Sequence, residues 1–195
     1  MKLYYTPSAC SLASHIVLNE LGLKYDSETV DLKTHKTAKG EDFYKINPKG
    51  YVPVLVLDNG QMLTEGVAIL TYLTDLDSSK EKADRYQQLE CLVFIATELH
   101  KTISSLFGYK EAPKEIITGI KDKVAKRFDF MDKKLANREF VIGKAFGPAD
   151  AYLFTVLNWC PHLGIDLGLW KNLVSFVKRI QARPAVQKTL QQEGI

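Results

Sequence analysis

The chain has 195 residues, 46% of them hydrophobic and 25% charged, with a formal net charge of +3. This is ample for a buried core in one large domain or two small ones, and it excludes an intrinsically disordered chain. The small net charge, without a long Lys/Arg run, argues against a dedicated nucleic-acid surface, and no apolar stretch approaches the roughly 18–20 residues needed to cross a bilayer.

The N-terminus, Met1-Lys2-Leu3-Tyr4-Tyr5, enters a strand-like run directly, with neither an apolar leader nor a small-residue cleavage site. A cytoplasmic protein is the expectation. Three separated cysteines, Cys10, Cys91 and Cys160, without a CxxC pair, predict free thiols in a reducing compartment. No His/Cys cluster has metal-ligand spacing, so no metal site is expected.

Leu3-Tyr4-Tyr5 reads as a strand and Thr6-Pro7-Ser8-Ala9 as a turn. A helix starts near Cys10, with Leu12, Ala13, Ile16, Val17 and Leu21 on one face, and Gly22 closes it. Ser27 to Leu32 reads as a second strand. The polar stretch Lys33 to Lys49 reads as a loop carrying an irregular helix around Phe43, Tyr44 and Ile46. Val52 to Leu57 is an apolar strand, and Asp58-Asn59-Gly60 turns it back into Gln61-Met62-Leu63. Thr64 is placed to cap a helix that buries Ile69, Leu70, Leu73 and Leu76. The order is β-α-β-α-β-β-α.

Asp77 to Lys82 is polar and aperiodic and reads as a linker, giving an α/β domain over residues 1–77 and an all-helical domain over 84–195. Charge divides there too: residues 1–78 hold 7 Lys/Arg against 10 Asp/Glu, and residues 79–195 hold 19 against 13. In the second part, Leu89, Leu92, Val93, Ala96, Leu99, Ile103 and Leu106 form one apolar stripe. Ile117, Ile120, Val124, Phe128, Met131 and Leu135 form another. Gly147-Pro148-Ala149-Asp150 has the order of a helix start, and Leu173, Phe176, Val177 and Ile180 mark a later helix.

Five features bear on chemistry. Cys10 sits where a strand gives way to a helix, and the unpaired amides and dipole of a helix start favour a thiolate; the alternative is a small buried hydrophobe. Pro53 at a strand start implies an edge, a bulge or a cis bond; a cis bond would turn the Val52 backbone towards a ligand. Glu65 and Gly66 open a helix, an arrangement that suits a ligand's ammonium and carboxylate or simply an ordinary helix start. His100, on the first helix of the helical domain, is either a donor to a ligand in the interdomain cleft or a packed histidine. Trp159 and Trp170 read as packing residues, His15 and His162 as structural, and Cys91 and Cys160 as core.

The segments MKLYYTPSACS at 1–11, NPKGYVPVL at 47–55 and LTEGVAILTYL at 63–73, in that order and spacing, resemble the bacterial beta-class glutathione transferases. ATELHK at 96–101, ADAYLFTVLNW at 149–159 and the ending at Arg183-Pro184 extend the resemblance over nearly the whole chain. It implies a thioredoxin-like N-terminal domain, an all-α C-terminal domain and a homodimer. It implies that glutathione is the co-substrate, held by Ala9, Cys10, His35, Tyr51, Val52, cis-Pro53, Glu65, Gly66, Thr97, Glu98 and His100. Cys10 and His100 are the implied catalytic pair, acting on a hydrophobic electrophile in detoxification or on disulfides by thiol exchange. The sequence departs from the family pattern at His35, where a lysine is usual, at Val93 for an asparagine, and at Gly147 for a capping threonine. Gly147 is expected to forgo the cap's side-chain hydrogen bond. The competing reading is a non-catalytic regulatory module on the same fold, like the stringent starvation proteins.

Overall fold

The computed structural model describes residues 1–77, 82–109 and 111–195. The first half is a five-stranded sheet in the order β3-β2-β1-β4-β5. Its strands are β1 (Lys2–Tyr5), β2 (Asp26–Asp31), β3 (Lys36–Thr37), β4 (Val54–Val56) and β5 (Met62–Thr64). β1 runs parallel to β2, which a crossover through α1 (Ser11–Glu20) requires, and antiparallel to β4. The Asn-Gly turn returns β4 into β5, with Val54 opposite Thr64.

This register has a functional consequence. Tyr4 pairs with Val54, and Val54 with Thr64. The C-terminal end of β1, the start of β4 and the end of β5 therefore meet at one end of the sheet. The chain leaves that end towards Cys10, arrives at it through Val52-Pro53, and leaves it again at Glu65.

The expected second helix shrinks to one 3₁₀ turn, Phe43–Lys45, with Asp42 capping it. Phe43 is its one buried residue, and a single apolar anchor cannot hold a longer amphipathic helix. The short strand β3 was not anticipated. The helix α2 (Gly66–Leu76) starts one residue later than expected: Thr64 ends β5, and Glu65 takes the cap position. The expected linker falls mostly on residues 78–81, outside the described residues.

The helical half contains α3 (Lys82–Phe94), α4 (Lys101–Gly108), α5 (Lys114–Leu135), α6 (Pro148–Leu157), α7 (Lys171–Gln181) and α8 (Pro184–Glu193). A π-helical segment, Ile95–His100, joins α3 to α4. The buried stripe lies slightly round from the expected one: Leu92, Ile95, Leu99, Ile103 and Leu106 are buried, whereas Val93 is exposed and Ala96 is only partly covered. In α5, Val124, Phe128, Met131 and Leu135 are buried as their spacing predicts.

Helix α6 is buried along its entire length. It packs against α1, α3 and α7, so one continuous apolar cluster runs from Leu3 and Leu12 through Leu153 and Phe154 to Val186. Burial on this scale, at about 25 cal/mol per Å² of apolar area, is the dominant force holding the two halves together. Among the described residues, no helix is long and apolar enough to cross a membrane.

Candidate active site

Cys10 occupies the cap position of α1 and is half-buried. Its Sγ donates to the backbone carbonyl of Val52 at 3.3 Å. Burial pushes the thiol up to about 11, outweighing the opposing hydrogen bonds from the Cys10 and Ser11 amides. The helix start acts in the expected direction, but desolvation is larger, and the free protein holds Cys10 as a thiol.

The Val52–Pro53 peptide is cis. Val52 is buried beside Tyr4 and Phe43. Glu65 has a φ of +69°, an unusual conformation for a residue with a Cβ. Its carboxylate accepts from Lys49 Nζ at 2.5 Å and from the Tyr51 hydroxyl at 2.8 Å. Those two donors hold Glu65 below the usual carboxylate range. The Gly66 amide stands at the head of α2, where the helix dipole favours an anion.

These groups face a cavity of about 330 Å³ between the two halves of the molecule. Cys10, Tyr51, Val52, Pro53, Glu65 and Gly66 form one wall, and Ala96, His100, Lys101, Ser104 and Tyr152 face them. Of the site residues expected from sequence, these include seven: Cys10, Tyr51, Val52, Pro53, Glu65, Gly66 and His100. The others lie off the lining. Ala9 caps the turn before α1, its amide bonded to the Thr6 carbonyl at 3.1 Å. His35 has a φ of +52° and stacks on Tyr44 with ring centroids 4.4 Å apart. Thr97 bonds back to the Val93 carbonyl, and Glu98 pairs with Arg127 on α5.

Lys101, Ser104 and Tyr152 were missed. The first two follow His100 on the same helix, and i, i+4 spacing from Ala96 through His100 to Ser104 was the available signal. Tyr152 sat in a run that read as core. His100 is held low, at about 4, by burial and then by the nearby Lys101 charge. It is neutral at physiological pH.

The segment before Cys10 is anchored from the far end of the chain. Ser8, at a φ of +62°, donates its amide to Glu193 Oε2 at 3.0 Å and accepts the Trp159 indole at 2.9 Å. Glu193 Oε1 lies 2.8 Å from His15 Nδ1, and both side chains are fully buried. His15 therefore has a partner, 178 residues away, that no local pattern could reveal. Cys91 and Cys160 are core thiols, each pushed up to about 12 by burial. Among the described residues, no group of three or more potential metal ligands lies together.

A thioredoxin-like α/β domain, a helical domain and a thiol facing the cleft between them define a two-domain thiol-handling fold. Profiles of the glutathione S-transferase N-terminal and C-terminal domains match residues 7–76 and 94–184. Over their full lengths, the chain is 40% identical to glutathione S-transferase GstA of Escherichia coli O157:H7. A sphingomonad glutathione S-transferase solved with glutathione superposes with a TM-score of 0.94 at 39% identity, covering all of both chains. The bacterial beta-class enzyme of Sphingomonas chungbukensis does so with a TM-score of 0.92 at 39% identity, over 100% of this chain and 99% of that one. The chain belongs to the glutathione S-transferase family.

Proposed function

We propose that the protein is a glutathione S-transferase of the bacterial beta type, conjugating glutathione to electrophiles and exchanging thiols with disulfides through Cys10. One observation carries this reading: the Cys10 thiol, the Val52 backbone and the Glu65–Gly66 helix start converge on one wall of the interdomain cavity. The tripeptide's charged γ-glutamyl end suits Glu65 and the first amides of α2. Its cysteinyl backbone suits Val52, in the manner of an added strand.

The Val52 carbonyl cannot serve two donors in the same direction. A glutathione amide pairing there takes the acceptor that the Cys10 thiol uses in the free protein. Cys10 is then released to donate to the glutathione sulfur and stabilise it as a thiolate, the glutathione thiol proton passing to solvent. In conjugation that thiolate forms the sulfur–carbon bond, and the electrophile's leaving group departs with the bonding electron pair. In exchange, the Cys10 thiolate attacks one sulfur of a disulfide, and the displaced thiolate takes up the proton. A glutathione thiolate then attacks the other sulfur of the mixed disulfide; the new disulfide departs and Cys10 leaves as a thiolate that regains a proton from solvent, a route that needs no second protein thiol.

The facing wall of Ala96, Lys101, Ser104 and Tyr152 receives the electrophile. A cytoplasmic, detoxifying homodimer fits the reading, with the exposed Thr97 available to a second subunit. A regulatory module is not favoured, because the cavity retains a thiol, an acid and a neutral histidine together. The test is the intact mass after incubation with oxidised glutathione. One glutathione is expected on the wild type and none on Cys10→Ser. Adducts unaffected by the substitution would sink the role of Cys10.

A further inference from the structure

The cavity wall opposite Cys10 contains a side-chain pair on two different helices. The Tyr152 hydroxyl, on α6, lies 2.5 Å from Nδ1 of His100. The rings meet edge-on with centroids 5.7 Å apart, and Trp159 closes another side of the imidazole at 4.9 Å. Tyr152 is 4% exposed. Its ring cannot turn towards bulk water.

Two protonation arrangements fit a bond of this length. Either Nδ1–H donates to the phenol oxygen, or the phenol O–H donates to a bare Nδ1. In the first, the phenol proton has no protein acceptor among the described residues, since His100 is the hydroxyl's hydrogen-bond partner there, and is left to the cavity. Leaving a largely buried hydroxyl proton without a protein acceptor is disfavoured. The second arrangement satisfies both groups. It leaves the imidazole's remaining proton on Nε2, an atom with no protein partner among the described residues.

We propose that Tyr152 is a positioning residue: it fixes His100 in the Nε2–H form and so makes His100 a neutral hydrogen-bond donor to the reacting centre rather than a base. The inference deepens the transferase reading and rests on it for its catalytic meaning. A donor here stabilises negative charge as it develops on the electrophile or the departing group, and it does so without giving up its proton. Burial keeps the phenol of Tyr152 protonated and the imidazole of His100 uncharged. The charged and titratable groups facing the pair are Cys10 at the start of α1, Glu65 at the start of α2 and Lys101 on α4. Lys101 further disfavours an imidazolium. The donor should therefore persist from about pH 5 through neutrality.

The test is nitrogen NMR of histidine-labelled protein, read first without any substrate. His100 is expected as the Nε2–H tautomer in the wild type. In Tyr152→Phe it is expected as a mixture of both tautomers, still uncharged at neutral pH because burial and Lys101 are unchanged. In turnover, Tyr152→Phe is expected to lower kcat roughly 10-fold, the worth of one oriented hydrogen bond, with the KM for glutathione unchanged. A wild-type His100 protonated on Nδ1 overturns the proposal, whatever the variant does. So does a variant that keeps both the wild-type tautomer and the wild-type kcat. Because the tautomer is read in the free protein, failure of the transferase reading would appear separately, as absent glutathione binding.

Discussion

The two walls of the cavity are built on different principles. The α/β wall uses chain ends: a helix start at Cys10, a strand entry at Val52-Pro53 and a second helix start at Glu65-Gly66, all brought together by sheet register. Backbone groups do much of its work, and unusual conformations mark it, at Ser8 and Glu65. The helical wall uses side chains on continuous helices, where function depends only on which way a residue faces. A loop-end site announces itself through glycine, proline and spacing. A helix-face site leaves no such mark.

The sharpest way to break this division is Glu193, because it belongs to the helical half yet holds the α/β wall. Glu193→Ala strips acceptors from the Ser8 amide and from His15 in a fully buried setting. The expected loss is roughly 2–3 kcal/mol. For a chain of this size that corresponds to a fall in Tm of about 5–10 °C. Glu193→Gln keeps one acceptor, for the Ser8 amide, and turns its NH2 donor towards His15, so it should recover only part of the loss. The KM for glutathione should rise in the alanine variant, since the turn that presents Cys10 loses its anchor. An unchanged melting curve would mean that the α/β wall stands without the C-terminal helix.

Cys10 sharpens the same contrast from the other side, since the wall that should activate it holds it protonated. Its thiol lies about 11 against an ordinary 9.0. At pH 7 the thiolate fraction falls about 100-fold, and the greater intrinsic nucleophilicity of the more basic thiolate returns about 10-fold. Alkylation of Cys10 in the free protein should be about 10-fold slower than that of an unhindered thiol. Its rate should keep rising with pH towards 11 rather than levelling near 9. The raised value stabilises the fold below the unfolded thiol's pKa, and that contribution is lost as pH climbs through about 11. A plateau near pH 9 in a pH–rate profile would show that the helix start offsets burial, and one below 9 that it dominates.

The contrast also explains what could be read in advance. The succession of strands and helices apart from β3, the helix start near Cys10, that of α2 to within one residue, and much of the buried faces of α5 and α7 follow from local pattern and turn chemistry. The π-helical segment does not, because one extra residue per turn leaves no compositional trace; the core stripe itself, with Ile95 rather than Val93 or Ala96, keeps the three- and four-residue spacing of a helix face one position round from the one expected. Tyr152 and Lys101 escaped notice because their value lies in what another helix brings beside them. His15 and Glu193 are the extreme case, a buried pair closed only by the tertiary fold.

The smallest effect concerns the start of α6, where a departure in sequence turns out to be compensated. Gly147 has an extended φ of −146°, which any residue adopts, so conformation does not demand glycine. Space bears on it: a Cβ there would run into the Gln88 side-chain amide, which would have to move aside. Gln88 Oε1 accepts the Ala149 amide at 3.3 Å, supplying from α3 the acceptor that a capping threonine would have provided. Asp150 completes the cap by accepting the Gly147 amide at 2.9 Å. Gln88→Ala should cost about 1 kcal/mol, and Gly147→Thr alone a similar amount through the overlap. Together they should come close to the wild type, because the threonine hydroxyl takes over the amide as the clash disappears. Strictly additive losses in a thermal double-mutant cycle would mean that Gln88 merely fills space. Restoration would establish that a helix can borrow its cap from a neighbour in the fold, a substitution that a motif comparison reads as a loss.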